Sequence, residues 1–372
     1  MTTTTQLLRT PLYDLHLSKN AKMVDFAGWE MPLHYGSIIE EHHQVRRSGG
    51  LFDVSHMGRF TLSGRDAGKF LDRICTRSVA DMTDGQCRYS IVCNDRGGCH
   101  DDVLVYRREE GDFLLVVNAS NREKLLAHIE ATRKEFVFKF EDITLKSAMV
   151  ALQGPKVMNF LGQHSSEVVA LKRYRFTTKN VFGLEFIVSR TGYTGEDGVE
   201  VIFRTDGLIA RTAIKMMASE FDRLGDVFRP AGLGARDSLR LEAAMPLYGH
   251  EITEELDPLS AGLDFAIKLD KGAPFIGQKA LQGIAAAKAT RKLVGLELEG
   301  RRAARQGMRV LSGEKEIGLV TSGCLSPTLD KSIAMAHVER SCGAEGTLLS
   351  VDLGRQQIPR RVVKLPFYKA PS

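Results

Sequence analysis

The sequence predicts an α+β chain of two or three domains that ends in a small antiparallel β-barrel or sandwich. Its 372 residues exceed the length at which a single hydrophobic core keeps growing. Strand and helix patterns alternate up to about residue 225. From Leu293 onward, short strand patterns follow one another with almost no helical periodicity. The last domain is therefore expected to consist mainly of strands.

The composition is that of a globular enzyme, with 43% hydrophobic and 26% charged residues. No apolar run approaches the roughly 20 residues that a membrane span requires. The start of the chain, Met1 to Gln6, is polar and has no signal-peptide pattern, so the cytoplasm is the expected location. The net charge of +5 is spread along the chain. The short basic clusters around Arg301 and Arg360 lack interleaved aromatic residues, so no nucleic-acid partner is expected.

The cysteine and histidine patterns do not predict a metal site. The six cysteines include no CxxC pair, and no HExxH motif occurs. His42 and His43 lie within a helical pattern and are more typical of a half-exposed helix face. We expect reduced thiols and no bound metal.

The first 90 residues predict short strands and helices in alternation. Ser37 and Glu40 form a capping-box pattern that begins a helix, and Gly49-Gly50 would end it. The loop 27–36 contains Trp29, the one tryptophan of the chain. The expected strands and helices lie at 22–26, 38–48, 51–57, 59–62, 66–74 and 88–93.

A pair of adjacent carboxylates, Asp101 and Asp102, begins the second strand of a predicted hairpin over 88–107. The turn is the run Asn94 to Gly98. Because side chains alternate along a strand, Asp102, Leu104 and Tyr106 share one face and Asp101 lies on the other. Either the acids close the turn or cap a neighbour, or one of them lies at the rim of a ligand cavity, and the pattern alone leaves both alternatives open. A strand at 113–118 and a second capping box at Ser120 to Glu123 follow.

The segment 147–225 repeats the theme of strands followed by a helix, which indicates internal duplication. Strands are expected at 147–152, 185–189 and 199–203, and an amphipathic helix at 208–224 that Gly225 would end. A loop with a glycine at every third position, 190–198, precedes the third strand. It would place Tyr193 and Glu200 near a ligand, or its glycines would merely permit an unusual hairpin.

Arg236 lies in the run Gly232 to Asp237, which resembles a dinucleotide fingerprint but lacks its third glycine and its preceding strand. We expect a helix start, where the guanidinium of Arg236 would bind a ligand carboxylate or form a structural salt bridge. A basic helical linker at 279–292 then leads into the predicted barrel. Its strands are expected at 293–298, 307–311, 316–321, 333–338, 348–352 and 361–365.

Taken together, these stretches resemble the glycine cleavage T-protein family of aminomethyltransferases. The resemblance extends over nearly the whole chain, in order. The matching segments are Thr10 to Tyr13, Met23 to Leu33, Phe52 to Gly58, Gly97-Gly98 with Asp101-Asp102, Ser189 to Glu200, Gly232 to Glu242, Thr321 to Gly323, Ser326 to Leu329, and Pro366 to Tyr368.

The resemblance implies a three-domain cloverleaf with duplicated folate-binding α+β domains and a C-terminal antiparallel β-barrel. The first domain would comprise 1–50 plus 145–245, and the second 51–144 plus 246–278. Residues 279–372 would form the linker and the barrel. It also implies an activity: the one-carbon unit of S-aminomethyl-dihydrolipoyl H-protein passes to tetrahydrofolate, giving 5,10-methylenetetrahydrofolate and ammonia. The expected partner is therefore the lipoylated H-protein.

By the same resemblance, Asp102 is the catalytic candidate. It would orient the folate, take a proton as a folate nitrogen attacks, and stabilise a cationic iminium intermediate. Carboxylates can accept the donors of a reduced pterin, aromatic rings can pack on its face, and an arginine can hold the folate's glutamate carboxylate. The implied folate-binding residues are Met57, Tyr89, Leu104, Tyr106, Tyr193, Glu200 and Arg236.

The chain departs from the usual family pattern at two places. Cys99-His100 replaces an aliphatic pair before the two acids, and Thr76-Arg77-Ser78 stands where many relatives have an Asn-Asp pair. Two alternatives remain. One is a folate-dependent demethylating domain, which is usually fused to a flavin domain. The other is the non-enzymatic folate-binding relative that assists iron–sulfur cluster assembly, whose Lys-Gly-Cys-Tyr signature has its nearest counterpart here in Lys271 to Pro274, without the cysteine.

Overall fold

A computed structural model of the chain describes residues 6–181, 183–207, 212, 214, 227–352, 354 and 357–371. The predicted amphipathic helix 208–224 lies almost wholly outside these residues. The helices are α1 Tyr13–Ser18, α2 Ile38–Arg47, α3 Ala67–Ile74, α4 Arg122–Thr132, α5 Val157–Gly162, α6 Ser166–Ala170, α7 Leu233–Glu242 and α8 Gln278–Ala287. The strands before the barrel are β1 Lys22–Phe26, β2 Trp29–His34, β3 Gly50–Asp53, β4 Gly58–Ser63, β5 Gln86–Cys93, β6 Cys99–Glu109, β7 Asp112–Val117, β8 Lys139–Asp142, β9 Ser147–Gln153, β10 Phe176–Val181, β11 Leu184–Ser189, β12 Gly198–Arg204 and β13 Arg229–Pro230.

Two sheets that share a four-stranded topology form most of the first two thirds of the molecule. One has the strand order β10-β11-β12-β9-β3-β13, and the other β5-β6-β7-β4-β8. In each, a central strand (β9 or β4) is followed by helix and then by a three-stranded meander, whose last strand returns to pair antiparallel with the central strand. The duplication that the sequence indicates is therefore visible in the strand order. The predicted domain limits stay a prediction.

The C-terminal part is a closed, antiparallel, six-stranded barrel, as expected, and not a sandwich. Its strand order is β14-β17-β16-β15-β18-β19, and β19 pairs back with β14. Aliphatic side chains from alternating positions fill its interior. The strands are β14 Arg291–Leu298, β15 Arg309–Ser312, β16 Lys315–Ser326, β17 Lys331–Glu339, β18 Leu348–Asp352 and β19 Gln357–Val363.

Some local expectations are wrong in extent or in kind. The expected loop 27–36 contains strand β2, which turns back at Phe26 and Trp29 to pair antiparallel with β1. The strand expected at 51–57 ends at Asp53, because the chain turns there and the Met57 amide donates to the carbonyl of Val54. The capping box expected at Ser120 is not formed. Helix α4 begins after Asn121, whose side chain makes no cap and instead donates to Asp101. The first capping box is partly confirmed, since Ser37 accepts from the amide of Glu40 at 3.3 Å.

The two sheets share one core, which fixes their relative position. Tyr106 and Leu114 of one sheet pack with Met149 and Ile202 of the other and with Leu239 of α7. At the junction, the fully buried guanidinium of Arg59 donates to four backbone carbonyls, those of Ser55, Met57, Thr144 and Ser147. The sheets and α7 consequently form a rigid frame around the space between them.

Candidate functional site

A cavity of about 650 Å³ lies between the two sheets, helix α7 and the β1–β2 hairpin. Its volume lies within the range of small-molecule sites, roughly 300–1,000 Å³. The catalytic candidate Asp102 lies in its wall. So do six of the seven predicted folate-site residues, namely Met57, Tyr89, Leu104, Tyr193, Glu200 and Arg236.

The strand alternation of β6 turns Asp102 toward the cavity. Asp102 and Leu104 are half-buried, whereas Asp101 and Val103 between them are buried. The Tyr89 hydroxyl donates to Oδ2 of Asp102 at 3.0 Å, and the Asn118 amide donates to Oδ1 at 2.6 Å. Burial raises the pKa of Asp102 although both donors lower it. The result is an oriented carboxylate that is a stronger base than an exposed aspartate.

Asp101 points away from the cavity and is completely buried. It accepts hydrogen bonds from the backbone and side-chain amides of Asn118, at 3.0 and 2.8 Å, and from the side chain of Asn121 at 2.6 Å. Burial and the charge of Asp102 raise its pKa against these donors. Asn118 thus joins both acids, and its position depends on Asp101.

The interior end of the cavity combines an acid, an arginine and a phenol. Glu200 is 7% exposed and accepts from the hydroxyl of Thr191. The guanidinium carbon of Arg236 lies 4.6 Å from the centre of the Tyr193 ring. Within the described residues, the buried Nη1 of Arg236 has no hydrogen-bond partner. A buried donor of this kind is costly to leave unpaired, so the site is suited to a ligand acceptor.

Tyr106 is the one predicted site residue that the structure does not bring to the cavity. It shares the face of Asp102 on β6, but its ring is buried against Phe176 of the other sheet. Its hydroxyl lies 3.1 Å from Oγ of Ser189. The sheets close on each other at this point, so Tyr106 forms part of the floor beneath the cavity.

Further residues of the wall were not singled out from the sequence. Asn118 lies just beyond the end of β7, and the pairing of Leu104 with Val116 brings it beside Asp102. That register was not predictable from the strand patterns alone. His56 is 3% exposed, and burial lowers its pKa to about 3, so its imidazole is neutral. Tyr174 and Arg240 also line the cavity, and Tyr174 is 49% exposed at its mouth.

Two further findings concern the described part of the chain. It contains no group of three or more His, Cys, Asp or Glu side chains arranged to hold a metal ion. Among the same residues, no helix is both long and apolar enough to cross a membrane.

Comparison with known proteins gives consistent results over nearly the whole chain. Residues 12–271 match the family model of the GCVT N-terminal domain, and residues 291–369 match that of the glycine cleavage T-protein C-terminal barrel domain. An aminomethyltransferase of Rubrobacter xylanophilus is 47% identical over 98% of this chain and 95% of its own length. One of Bacillus pumilus is 42% identical over 98% and 99%.

A crystal structure agrees with these sequence matches. The glycine cleavage system aminomethyltransferase T of Bartonella henselae superposes with a TM-score of 0.89 at 33% identity. The superposition covers 98% of this chain and 99% of that one. With its cavity, its duplicated sheets and its barrel, the chain belongs to the glycine cleavage T-protein family, the tetrahydrofolate-dependent aminomethyltransferases.

Proposed function

We propose that the activity of this aminomethyltransferase depends on Asp102 as the carboxylate that touches the reacting groups. The observation that carries the proposal is its position, half-buried in the cavity wall with one oxygen bonded to Tyr89 and the other to Asn118. Tetrahydrofolate supplies the nitrogens that accept the one-carbon unit. Ionised Asp102 would accept the proton that a reacting folate nitrogen releases, and its negative charge would stabilise positive charge that develops nearby.

Glu200 and Arg236 are suited to the pterin end of the folate. The pterin presents N–H and amino donors, which a carboxylate accepts, beside a carbonyl oxygen, which a guanidinium donor can reach. The unpaired Nη1 of Arg236 fits this assignment. Because Arg236 is half-buried, with its Nη1 atom inaccessible to solvent, and lies beside Glu200, the pair favours the pterin, and not the folate's glutamate carboxylate, as its ligand. Tyr193, Tyr89, Met57 and Leu104 would supply the apolar walls.

The donor of the one-carbon unit is proposed to be the lipoylated H-protein, whose S-aminomethyl-dihydrolipoyl arm would enter the same cavity. Family membership supports this partner. The demethylating alternative is not favoured, because named aminomethyltransferases match the chain over nearly their full length. The binding-module alternative lacks its signature, since Lys271 is buried and donates to backbone carbonyls, with Ala273 in place of the cysteine.

The test is folate-dependent release of ammonia from aminomethyl-loaded H-protein by the wild type and by Asp102→Asn. The variant keeps the shape and removes the charge, so turnover should fall by about 100-fold or more, as is typical for loss of a general base. Binding of tetrahydrofolate should persist, because Glu200 and Arg236 are intact. Near wild-type turnover of the variant would eliminate the role of Asp102. Folate binding by the wild type without folate-dependent release would instead favour the binding module.

A further inference from the structure

We propose that Tyr248 is a second catalytic residue, which gives its hydroxyl proton to the sulfur of the H-protein arm, and that Lys124 positions it. The inference rests on the proposed function, in which Asp102 accepts a proton from the folate. The reaction moves two protons, since two folate nitrogens lose one each and the sulfur and the ammonia gain one each. Asp102 takes one of the two, so the cavity needs a second group that can give and take a proton.

Tyr248 lies in the cavity wall, as Asp102 does. Both side chains are bound to one short segment, 118–124, which runs from the end of β7 into α4. At its start, the side chain of Asn118 donates to Oδ1 of Asp102 at 2.6 Å. At its end, Nζ of Lys124 donates to the hydroxyl oxygen of Tyr248, also at 2.6 Å. The carboxylate and the phenol are thus held beside the same stretch of the wall.

The hydroxyl of Tyr248 has a proton to donate. Because an ammonium group has no acceptor, the phenol oxygen must accept in the bond with Lys124, and its own proton takes no part in that bond. Burial lowers the pKa of Lys124, but its bonds with Tyr248 and Glu254 outweigh this effect and raise it, so the group is charged. Within the part of the chain that the structure describes, no protein group accepts the Tyr248 proton. A substrate atom in the cavity can therefore take it.

Three further tyrosines line the cavity, but none is placed to act as this acid. The hydroxyl of Tyr89 donates to Asp102, and that of Tyr193 donates to a backbone carbonyl. Tyr174 is 49% exposed at the mouth, so its hydroxyl faces bulk water. Tyr248 is half-buried. It is therefore the tyrosine of the wall whose proton is uncommitted and lies inside the cavity.

Lys124 stabilises the negative charge that Tyr248 would carry after giving up its proton. The charge would form on the oxygen that the ammonium already contacts, and Nζ also lies 4.4 Å from the centre of the ring. Glu254 fixes this ammonium, because its Oε1 lies 2.9 Å from Nζ. Burial raises the pKa of the Tyr248 phenol, Lys124 lowers it, and the charges of Glu254 and Asp101 raise it. The net pKa is raised, so the phenol keeps its proton at neutral pH until the sulfur takes it.

The proton moves with the bond that breaks. As the bond between the sulfur and the one-carbon unit breaks, its electron pair stays on the sulfur, which takes the Tyr248 proton and becomes the free thiol of the arm. The phenolate regains a proton from the second folate nitrogen when that nitrogen bonds to the one-carbon unit. Asp102 passes the first folate proton to the departing ammonia. Two protons thus leave the folate, one reaches the sulfur and one the ammonia, and no oxidant or reductant is needed.

The first test is the turnover of Tyr248→Phe with aminomethyl-loaded H-protein. It should fall by about 100-fold or more, as is typical for loss of a general acid. The affinity for tetrahydrofolate, measured by titration calorimetry, should persist because Glu200 and Arg236 are intact. Tyr13→Phe is the control, since it removes a hydroxyl that donates to Glu30 outside the cavity wall. Near wild-type turnover of Tyr248→Phe, or a loss of folate affinity as large as the loss of turnover, would overturn the proposal.

Replacement of Tyr248 by fluorotyrosine separates an acid from a structural hydroxyl, because the fluorinated phenol is more acidic and of nearly the same size. The basic limb of the profile of kcat/KM against pH should move to lower pH, and fluorine NMR reports the titration of this phenol directly. In Lys124→Gln the phenol should titrate at higher pH, and turnover should fall about tenfold, as expected for one lost hydrogen bond to a charged group. Lys146→Gln, which removes a 52% exposed ammonium, is the control. A basic limb that does not move, or a titration that Lys124→Gln leaves unchanged, would contradict the proposal.

His250 is the alternative acid of the wall. Its Nδ1 donates to the carbonyl of Thr321 at 2.9 Å, which leaves Nε2 to exchange a proton with a ligand. If turnover falls by about 100-fold in His250→Gln and not in Tyr248→Phe, the proton comes from His250 and the proposal is overturned. Absence of folate-dependent ammonia release by the wild type would instead contradict the proposed function itself.

Discussion

At the scale of single residues, Asp102 is governed by two opposing effects. Burial disfavours its charged form, and the hydrogen bonds from Tyr89 and Asn118 favour it. Burial is the larger effect, so the pKa is raised. Tyr89 is therefore a residue through which the basicity of Asp102 can be adjusted without altering the carboxylate.

Replacement of Tyr89 by phenylalanine should raise the pKa of Asp102 further. The hydrogen bond that is lost stabilises the ionised form of Asp102. Hydrogen bonds to charged groups contribute about 1.5–3 kcal/mol, and about 1.4 kcal/mol corresponds to one pKa unit. If ionised Asp102 is the active form, the acidic limb of the profile of kcat/KM against pH should move to higher pH by about one unit. Tyr13→Phe is the control, because it removes a hydroxyl bonded to Glu30 outside the cavity wall. A profile of Tyr89→Phe that coincides with the wild type would show that Tyr89 does not act on the reactive carboxylate.

Much of this residue-scale arrangement follows from the sequence. Alternation along β6 is a local property, so it separates Asp102 from Asp101 correctly. The same rule places Tyr106 on the face of Asp102 but cannot show that the second sheet covers that face four residues further on. Asn118 could not be assigned either, because its contact with Asp102 depends on the register between β6 and β7.

At the scale of elements, the β5–β6 hairpin is anchored at its turn. The Cys99 amide donates to the carbonyl of Thr253 at 2.9 Å, and the side chain of Asn94 donates to that of Glu254, also at 2.9 Å. A Cβ added to Gly98 would lie 1.8 Å from the Glu254 carbonyl oxygen. The segment 253–256 therefore fixes the turn that leads directly into Asp101 and Asp102.

Gly98→Ala should consequently displace the turn and impair both stability and turnover. The added methyl group cannot be accommodated by rotating a side chain, because its neighbour is backbone, and overpacking of this kind costs about 1–3 kcal/mol. Thermal unfolding and ammonia release would be measured side by side. Gly283→Ala is the control, since nothing lies within 4 Å of its added Cβ and alanine favours the helix α8. If both alanines behave alike, close packing at Gly98 does not position the hairpin.

Element-level prediction failed where a side chain has a tertiary partner. The pattern Ser120 to Glu123 satisfies the local rule for a capping box, yet Asn121 donates to Asp101, which lies on a strand twenty residues earlier. The expected strand 51–57 is also too long. The chain turns at 54–57, where the carbonyls of Ser55 and Met57 accept hydrogen bonds from the guanidinium of Arg59. Both deviations border the candidate site, where long-range contacts outweigh local preference.

At the scale of the whole molecule, a buried ionic network joins the barrel to the two sheets that enclose the cavity. Glu242, at the end of α7, is completely buried and accepts from Arg46 of α2 at 2.8 Å and from Ser326 and Thr328 of the barrel. A second pair, Arg240 and Glu251, lies 2.9 Å apart beside Ser322. Arg240 and Glu242 lie in the last turn of α7, and Arg236 lies in the first half of the same helix. The contacts with the barrel therefore help to fix the helix that carries Arg236 in the cavity wall.

Glu242→Gln should destabilise the protein by about 1.5–3 kcal/mol at neutral pH, because Arg46 loses the charge of one of its two buried carboxylate partners and keeps only Glu196. Burial opposes the ionisation of Glu242, but His42, Ser326 and Arg46 outweigh it and lower its pKa to about 2. Since the folded pKa is below the unfolded one, the contribution is present above about pH 4.5 and is lost as the pH falls toward 2. Urea unfolding across this range should show the wild type and the variant converging in acid. Glu123→Gln is the control: the side chain of Glu123 is 79% exposed, so this variant should change stability by about 1 kcal/mol or less. If the effect of Glu242→Gln is equally small, or does not depend on pH, the network does not hold the barrel in place.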